Sequence, residues 1–102
     1  MCSSDLMSCY FVARILIHHE AEYDRYLEKC DEVFVRCNGR YLAVDRSPIP
    51  LEGTPEDGRM VIIEFPDEPS FRLWYDSTEY QEILAHRLAG AHCTSVLVRS
   101  KD

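Results

Sequence analysis

Hydrophobic positions fall into two rhythms along this chain. Residues 9–17 read CYFVARILI, too apolar for a strand with one wet face and suited to a strand covered on both faces. Arg14 is the single charge in the run. After His18-His19-Glu20 the rhythm changes. Tyr23, Tyr26, Leu27, Cys30, Val33, Phe34 and Cys37 recur at three- and four-residue steps, which predicts an amphipathic helix over residues 20–36. Asn38-Gly39 stops it, with Gly39 expected to take the left-handed cap. Residues 40–46, RYLAVDR, predict a second strand. Residues 47–58 hold three of the five prolines and two of the four glycines and read as a long loop, with a short edge strand at 50–52. The β-branched run Val61-Ile62-Ile63 marks a third strand over 59–65, and Pro66 ends it. A corner at 66–69 leads into a helix over 68–76 that carries Phe71, Trp74 and Tyr75. Ser77 is expected to cap a further helix over 77–87 that ends near Gly90. Residues 94–99, TSVLVR, predict the last strand. Residues 1–8 are polar and expected to fray, leaving one domain over 9–100.

The resulting order is β-α-β-β-α-β, an α+β ferredoxin-like arrangement with an antiparallel four-stranded sheet. Right-handed crossovers put the first and third strands side by side at its centre. Helices cover one face of such a sheet, yet these two strands are apolar on both. A second copy packed sheet to sheet is the simplest cover, giving a dimeric α/β barrel. The alternative is a monomeric ferredoxin-like domain of the ligand-sensing kind.

Composition narrows the partners. The 102 residues carry 18 acidic against 11 basic side chains, a net charge of −7, and hold only two lysines, Lys29 and Lys101. Nucleic-acid affinity rests on clustered basic side chains, so nucleic acid and anionic membranes are not expected partners. Five cysteines at irregular spacing, without a Cys-x-x-Cys pair, argue for free thiols and against a zinc site. Cys9 and Cys93 belong to strands expected to run antiparallel, which sets them at opposite ends. The four histidines form no carboxylate-backed metal set. Neither a signal peptide nor a membrane span is visible, so a cytoplasmic protein is expected.

Tyr10-Phe11-Val12-Ala13-Arg14, the turn Asn38-Gly39-Arg40-Tyr41-Leu42, Leu51-Glu52-Gly53, the VIIEFP run over 61–66, and WYDSTEYQ over 74–81 with Arg87 after it together resemble the domain of unknown function 1330 family of the dimeric α/β-barrel superfamily. The resemblance spans about residues 10–98. It implies a homodimer whose two sheets form a barrel with helices outside, and no established reaction or cofactor. Two departures stand out: His19-Glu20 replaces a common Asp-Pro before the first helix, and Asn38 replaces a common first glycine.

Two groups of side chains carry candidate chemistry. Arg14 and Glu64 would face each other inside the barrel if their strands ran parallel, either as a structural ion pair or as a polar pair in a ligand cavity. Tyr26, Trp74, Tyr75, Ser77 and Tyr80, with Arg40 and Arg87, are either aromatic core with local hydrogen bonds or the lining of a cleft for a small anionic or aromatic molecule. A helix break at Asp76-Ser77 would add free N–H groups suited to an anion. Two functions follow: a homodimer that binds a small organic molecule in a helix–sheet cleft, with cofactor-independent chemistry by analogy to superfamily relatives, or a non-enzymatic interaction or regulatory module whose barrel is structural only.

Overall fold

The computed structural model describes residues 8–54 and 56–101, so the expected fraying of the first residues, and Cys2 among them, lies outside the described part, as does the side chain of Phe34. The elements are β1 (Cys9–Ile17), α1 (Glu20–Arg36), β2 (Arg40–Asp45), β3 (Arg59–Phe65), α2 (Glu68–Tyr75), α3 (Thr78–Gly90) and β4 (Ala91–Arg99). The strands form one sheet in the order β2-β3-β1-β4 with every neighbouring pair antiparallel. This is the ferredoxin-like α+β arrangement. β1 and β3 sit at the centre, as the crossover rule requires.

Alternation along β1 decides where the core lies. Cys9, Phe11, Ala13 and Ile15 are buried beneath the helices, with Val61, Ile63 and Phe65 of β3 beside them. Phe71 and Trp74 of α2 and Tyr80, Ile83 and Leu84 of α3 close the layer from above. The intervening residues, among them Val12 and Ile62, point to the opposite face of the sheet, where no helix lies. Leu16, Val96 and Val98 on that face are about half exposed.

Local signals account for the helix boundaries. Asp67 caps α2, its carboxylate accepting from the Ser70 N–H at 2.8 Å, and Pro69 occupies the first turn, where its missing N–H costs nothing. Ser77 caps α3 as its sequence position predicts, its hydroxyl accepting from Tyr80 N–H at 3.0 Å. At the far end of α3, the Gly90 carbonyl accepts from the N–H groups of His18 and His19 at 2.9 and 3.0 Å. A Cβ on Gly90 would stand 2.7 Å from the Tyr23 nitrogen, so glycine there lets the end of α3 lie directly on the start of α1.

Three expectations change, and β2 adds an irregularity of its own. The left-handed residue after α1 is Asn38, at φ 66°, while Gly39 has no positive φ. Asparagine tolerates this region because its short polar side chain interacts locally. β4 begins at Ala91, three residues earlier than its apolar run suggests, because α3 runs straight into it without a loop. Residues 50–52 form no strand. β2 carries a bulge between Tyr41, opposite Ile63, and Ala43, opposite Ile62. The extra residue puts both Tyr41 and Val44 on the helix side, which a regular strand would not do.

Asn38→Val is expected to cost about 1–2 kcal/mol in chemical denaturation, because a β-branched residue fits the left-handed region poorly. Asn38→Gly should stay within about 1 kcal/mol of wild type, relief of strain offsetting the looser unfolded chain.

Candidate functional site

The helix–sheet layer is incompletely filled. Ala13 contributes only a methyl group between the larger Phe11 and Ile15, and a cavity opens over it. The volume open to the centres of water molecules is about 40 Å³, enough for a few waters at roughly 10–15 Å³ each. Its inner end is built by Phe11, Tyr26 and Arg87, and Tyr23 and Arg59 line one side. Leu27 of α1 and Tyr41 and Val44 of β2 are 39 %, 40 % and 51 % exposed, and they form the rim. The β2 bulge is what aims both rim residues of that strand at the cavity.

Arg87 dominates the electrostatics. The residue is 2 % exposed, and its Nε and Nη1 have no hydrogen-bond partner among the described residues. No carboxylate among the described residues pairs with it. Its guanidinium carbon lies 5.8 Å from the centroid of the Phe11 ring and 5.7 Å from that of Tyr26. Each such contact contributes about 0.5–2 kcal/mol, against a desolvation cost of several kcal/mol for a buried ion. The rings therefore soften the cost without offsetting it.

The neighbouring titratable groups do not supply the missing charge. Burial pulls the Arg87 pKa down, Tyr80, Tyr26 and Cys93 push it up, and the balance is upward. That push requires phenolates or thiolates. Burial, however, holds the Tyr26 phenol well above the ordinary tyrosine range and pushes Tyr80 up to about 12. Burial raises the Cys93 thiol as well. Near neutral pH all three are protonated and uncharged, so Arg87 is a lone buried cation.

The two phenols are linked, Tyr26 and Tyr80 hydroxyls lying 2.9 Å apart. One O–H serves that bond, and the hydroxyl that accepts keeps its own proton for donation elsewhere. Tyr80 in turn packs on Trp74, centroid to centroid 4.2 Å, and Tyr75 packs on Phe11 at 6.0 Å. Cys30, behind this layer, has its thiol pushed up to about 11 by burial and is not poised as a thiolate.

The nine side chains singled out in the sequence separate into two groups on opposite faces of the sheet. Tyr26 and Arg87 line the cavity. Trp74, Tyr75 and Tyr80 pack behind or beside them, and Ser77 is occupied as a cap, its hydroxyl also donating to the Trp74 carbonyl at 2.8 Å. The helix break is less open than expected, since the N–H groups of Asp76, Ser77, Tyr80 and Gln81 are all bonded. Arg14, Arg40 and Glu64 lie on the other face. Because β1 and β3 are antiparallel, Arg14 stands opposite Met60 and Glu64 opposite Tyr10, so the two do not meet. Arg14 instead contacts Glu56 at 3.1 Å and Glu64 contacts Arg40 at 2.6 Å. Phe11, Tyr23, Tyr41 and Arg59 join the cavity without having been singled out. Tyr23 was legible one turn before Tyr26 on the same helix stripe, and Ala13 between two large residues was the sign of a gap. No group of three or more His, Cys, Asp or Glu gathers as for a metal ion among the described residues. None of the described helices is long and apolar enough to cross a membrane.

A ferredoxin-like α+β domain with a small cleft between helices and sheet is the class these features define. The chain belongs to the DUF1330 family, a domain of unknown function, whose model matches residues 8–100. A protein of unknown function from Rhodopseudomonas palustris shares the fold with a TM-score of 0.79 at 15% identity, over 95% of this chain and 85% of that one. SnoaB, a cofactor-independent oxygenase from Streptomyces nogalater, superposes with a TM-score of 0.66 at 18% identity, over 94% of this chain and 95% of its own. A dimeric ferredoxin-like protein of unknown function from Thermobifida fusca gives 0.55 at 14% identity, over 92% of both chains. None of the curated proteins matches the chain.

Two outcomes follow from this geometry. Arg87→Met should hold or raise the stability of the unliganded protein, by about 1 kcal/mol or more, since it removes an unpaired buried charge. A large loss in denaturant unfolding would show that the guanidinium has a partner in the folded chain. The second concerns the clamp between α1 and α3, where Glu22 of α1 meets His86 Nδ1 of α3 at 2.9 Å. That bond holds the Glu22 carboxyl below its usual range. A depressed folded pKa gives stability that is present above the unfolded value, about 4.3, and is lost as pH falls through the folded value. Glu22→Gln should therefore be destabilising near neutral pH and lose that effect in acid, as read from unfolding midpoints across the pH range.

Proposed function

We propose that this protein is a homodimer that binds a small organic molecule in the cleft between its helices and sheet, and that the cleft supports chemistry without a bound cofactor. The observation that carries the reading is the cavity itself, with hydrogen-bond donors at its inner end and a hydrophobic rim. Such a combination of apolar walls and a few convergent polar groups is the usual character of a small-molecule site. The fold of a cofactor-independent oxygenase, SnoaB, supports the chemical part by analogy only. The helix-free sheet face, with half-exposed Leu16, Val96 and Val98, supports pairing with a second copy, as does the dimeric ferredoxin-like protein from Thermobifida fusca.

Light scattering should give twice the 11.9 kDa of one chain, and Ile62→Glu, which puts a charge at the centre of that face, should return the mass of one chain. A thermal-shift screen against small metabolites should yield compounds that stabilise wild type and not Val44→Trp. That substitution plugs the rim at a half-exposed position and leaves the inner end untouched. A screen without binders, or binders indifferent to Val44→Trp, would overturn the cleft reading and leave the barrel as a structural module.

A further inference from the structure

We propose that the cleft is a site for an oxyanion, the ligand being a small carboxylate or enolate with an apolar or aromatic body whose charged oxygens sit on Arg87. The inference deepens the cleft reading and rests on it. Three observations converge. Arg87 is 2 % exposed, and two of its nitrogens, Nε and Nη1, are unbonded among the described residues, so each can donate a charge-assisted hydrogen bond to an anionic oxygen. The polar side chains that line the cavity are two arginines, Arg59 and Arg87, and the tyrosines 23, 26 and 41, with no carboxylate and no amide among them. The two arginines and the phenols of Tyr23 and Tyr26 are the donors there, whereas the Tyr41 hydroxyl already gives its proton to Asp31 Oδ1 at 2.9 Å. A cavity lined in this way rejects cations and offers a neutral amide or ester little that it does not offer an anion more strongly.

The walls fix the rest of the ligand. Phe11 and Tyr26 hold the guanidinium between ring faces, so an anion on Arg87 lies beside aromatic surface. Ala13, Val61 and Val44 border the remaining space and provide no hydrogen-bonding side chain. The ligand body is therefore apolar, and flat enough to lie along the sheet. Tyr26 supplies a second donor when Tyr80 gives its proton to the pair between them. The burial of Arg87 strengthens the bonds it makes, because bulk water screens its guanidinium little. An acid with an ordinary carboxyl pKa enters as its anion. An enolisable ligand has its enolate form favoured next to a fixed positive charge.

The test compares acids with neutral isosteres by calorimetric titration of the intact protein: acetate against acetamide and benzoate against benzamide. The result expected is that at least one acid binds wild type tenfold or more tighter than its amide. Arg87→Met should erase that preference, and Arg87→Lys, which keeps the charge and loses the two separate guanidinium donors, should retain part of it. Equal binding of acid and amide would overturn the oxyanion site while leaving the cleft reading intact, and so would acid binding that survives Arg87→Met. Binding of neither acid would overturn it too, and the thermal-shift screen then decides whether the cleft reading falls with it. Should Arg87→Met fail to fold, the acid-to-amide ratio in wild type and its fall in Arg87→Lys decide the matter alone.

Discussion

The ring of Phe11 is the contact on which the rest of this structure depends. It sits on the central strand and meets Phe71, Trp74 and Tyr75 of α2, with centroids 6.0, 5.3 and 6.0 Å away. The Arg87 guanidinium from α3 lies over its face. One side chain thus ties the first strand to both helices of the second half and bears the cation at the inner end of the cavity. Aromatic pairs of this kind add about 0.5–1.5 kcal/mol each beyond the area they bury. Removing the ring would loosen the helix layer and expose Arg87 in the same step, so stability and the candidate site are coupled through it.

A chain under no functional demand has a simpler way to fill this layer. Methionine or leucine at position 87 would pack against Phe11 and Tyr26 without a desolvation cost. Ala13 could be larger. The chain instead keeps a long cation over a small residue and leaves space beside it. Under the proposed reading, this locally unfavourable group in an otherwise well-packed layer marks the ligand site. The clamps around that space are ordinary by comparison. Asp67 and Ser77 cap the helices, Gly90 seats α3 on α1, and Glu22 meets His86 between the two.

Much of this was legible from residue order. Element types, the two serine and aromatic signals around Ser77, and the sheet order follow from periodicity and the crossover rule. Tyr26 and Arg87 were among the side chains offered as either core or cleft lining, Tyr26 from its place on the apolar stripe of the first helix. What failed were features set by pairing between strands. Arg14 and Glu64 carry the right charges to meet, and antiparallel register separates them. The bulge that turns Tyr41 and Val44 toward the cavity has no sequence marker, because bulges arise from how two strands fit. Asn38, not the following glycine, takes the left-handed turn. The absence, among the described residues, of a carboxylate beside Arg87 is a statement about three dimensions, and 18 acidic residues in the sequence concealed it.

The most direct measurement is a crystal structure of the protein grown in the presence of benzoate. The account predicts a carboxylate in the cavity with an oxygen about 2.7–3.2 Å from Nε or Nη1 of Arg87 and its ring along Phe11 or Tyr26. An Arg87 guanidinium bonded instead to a carboxylate of the chain or of a partner copy, with the cavity closed, would contradict it.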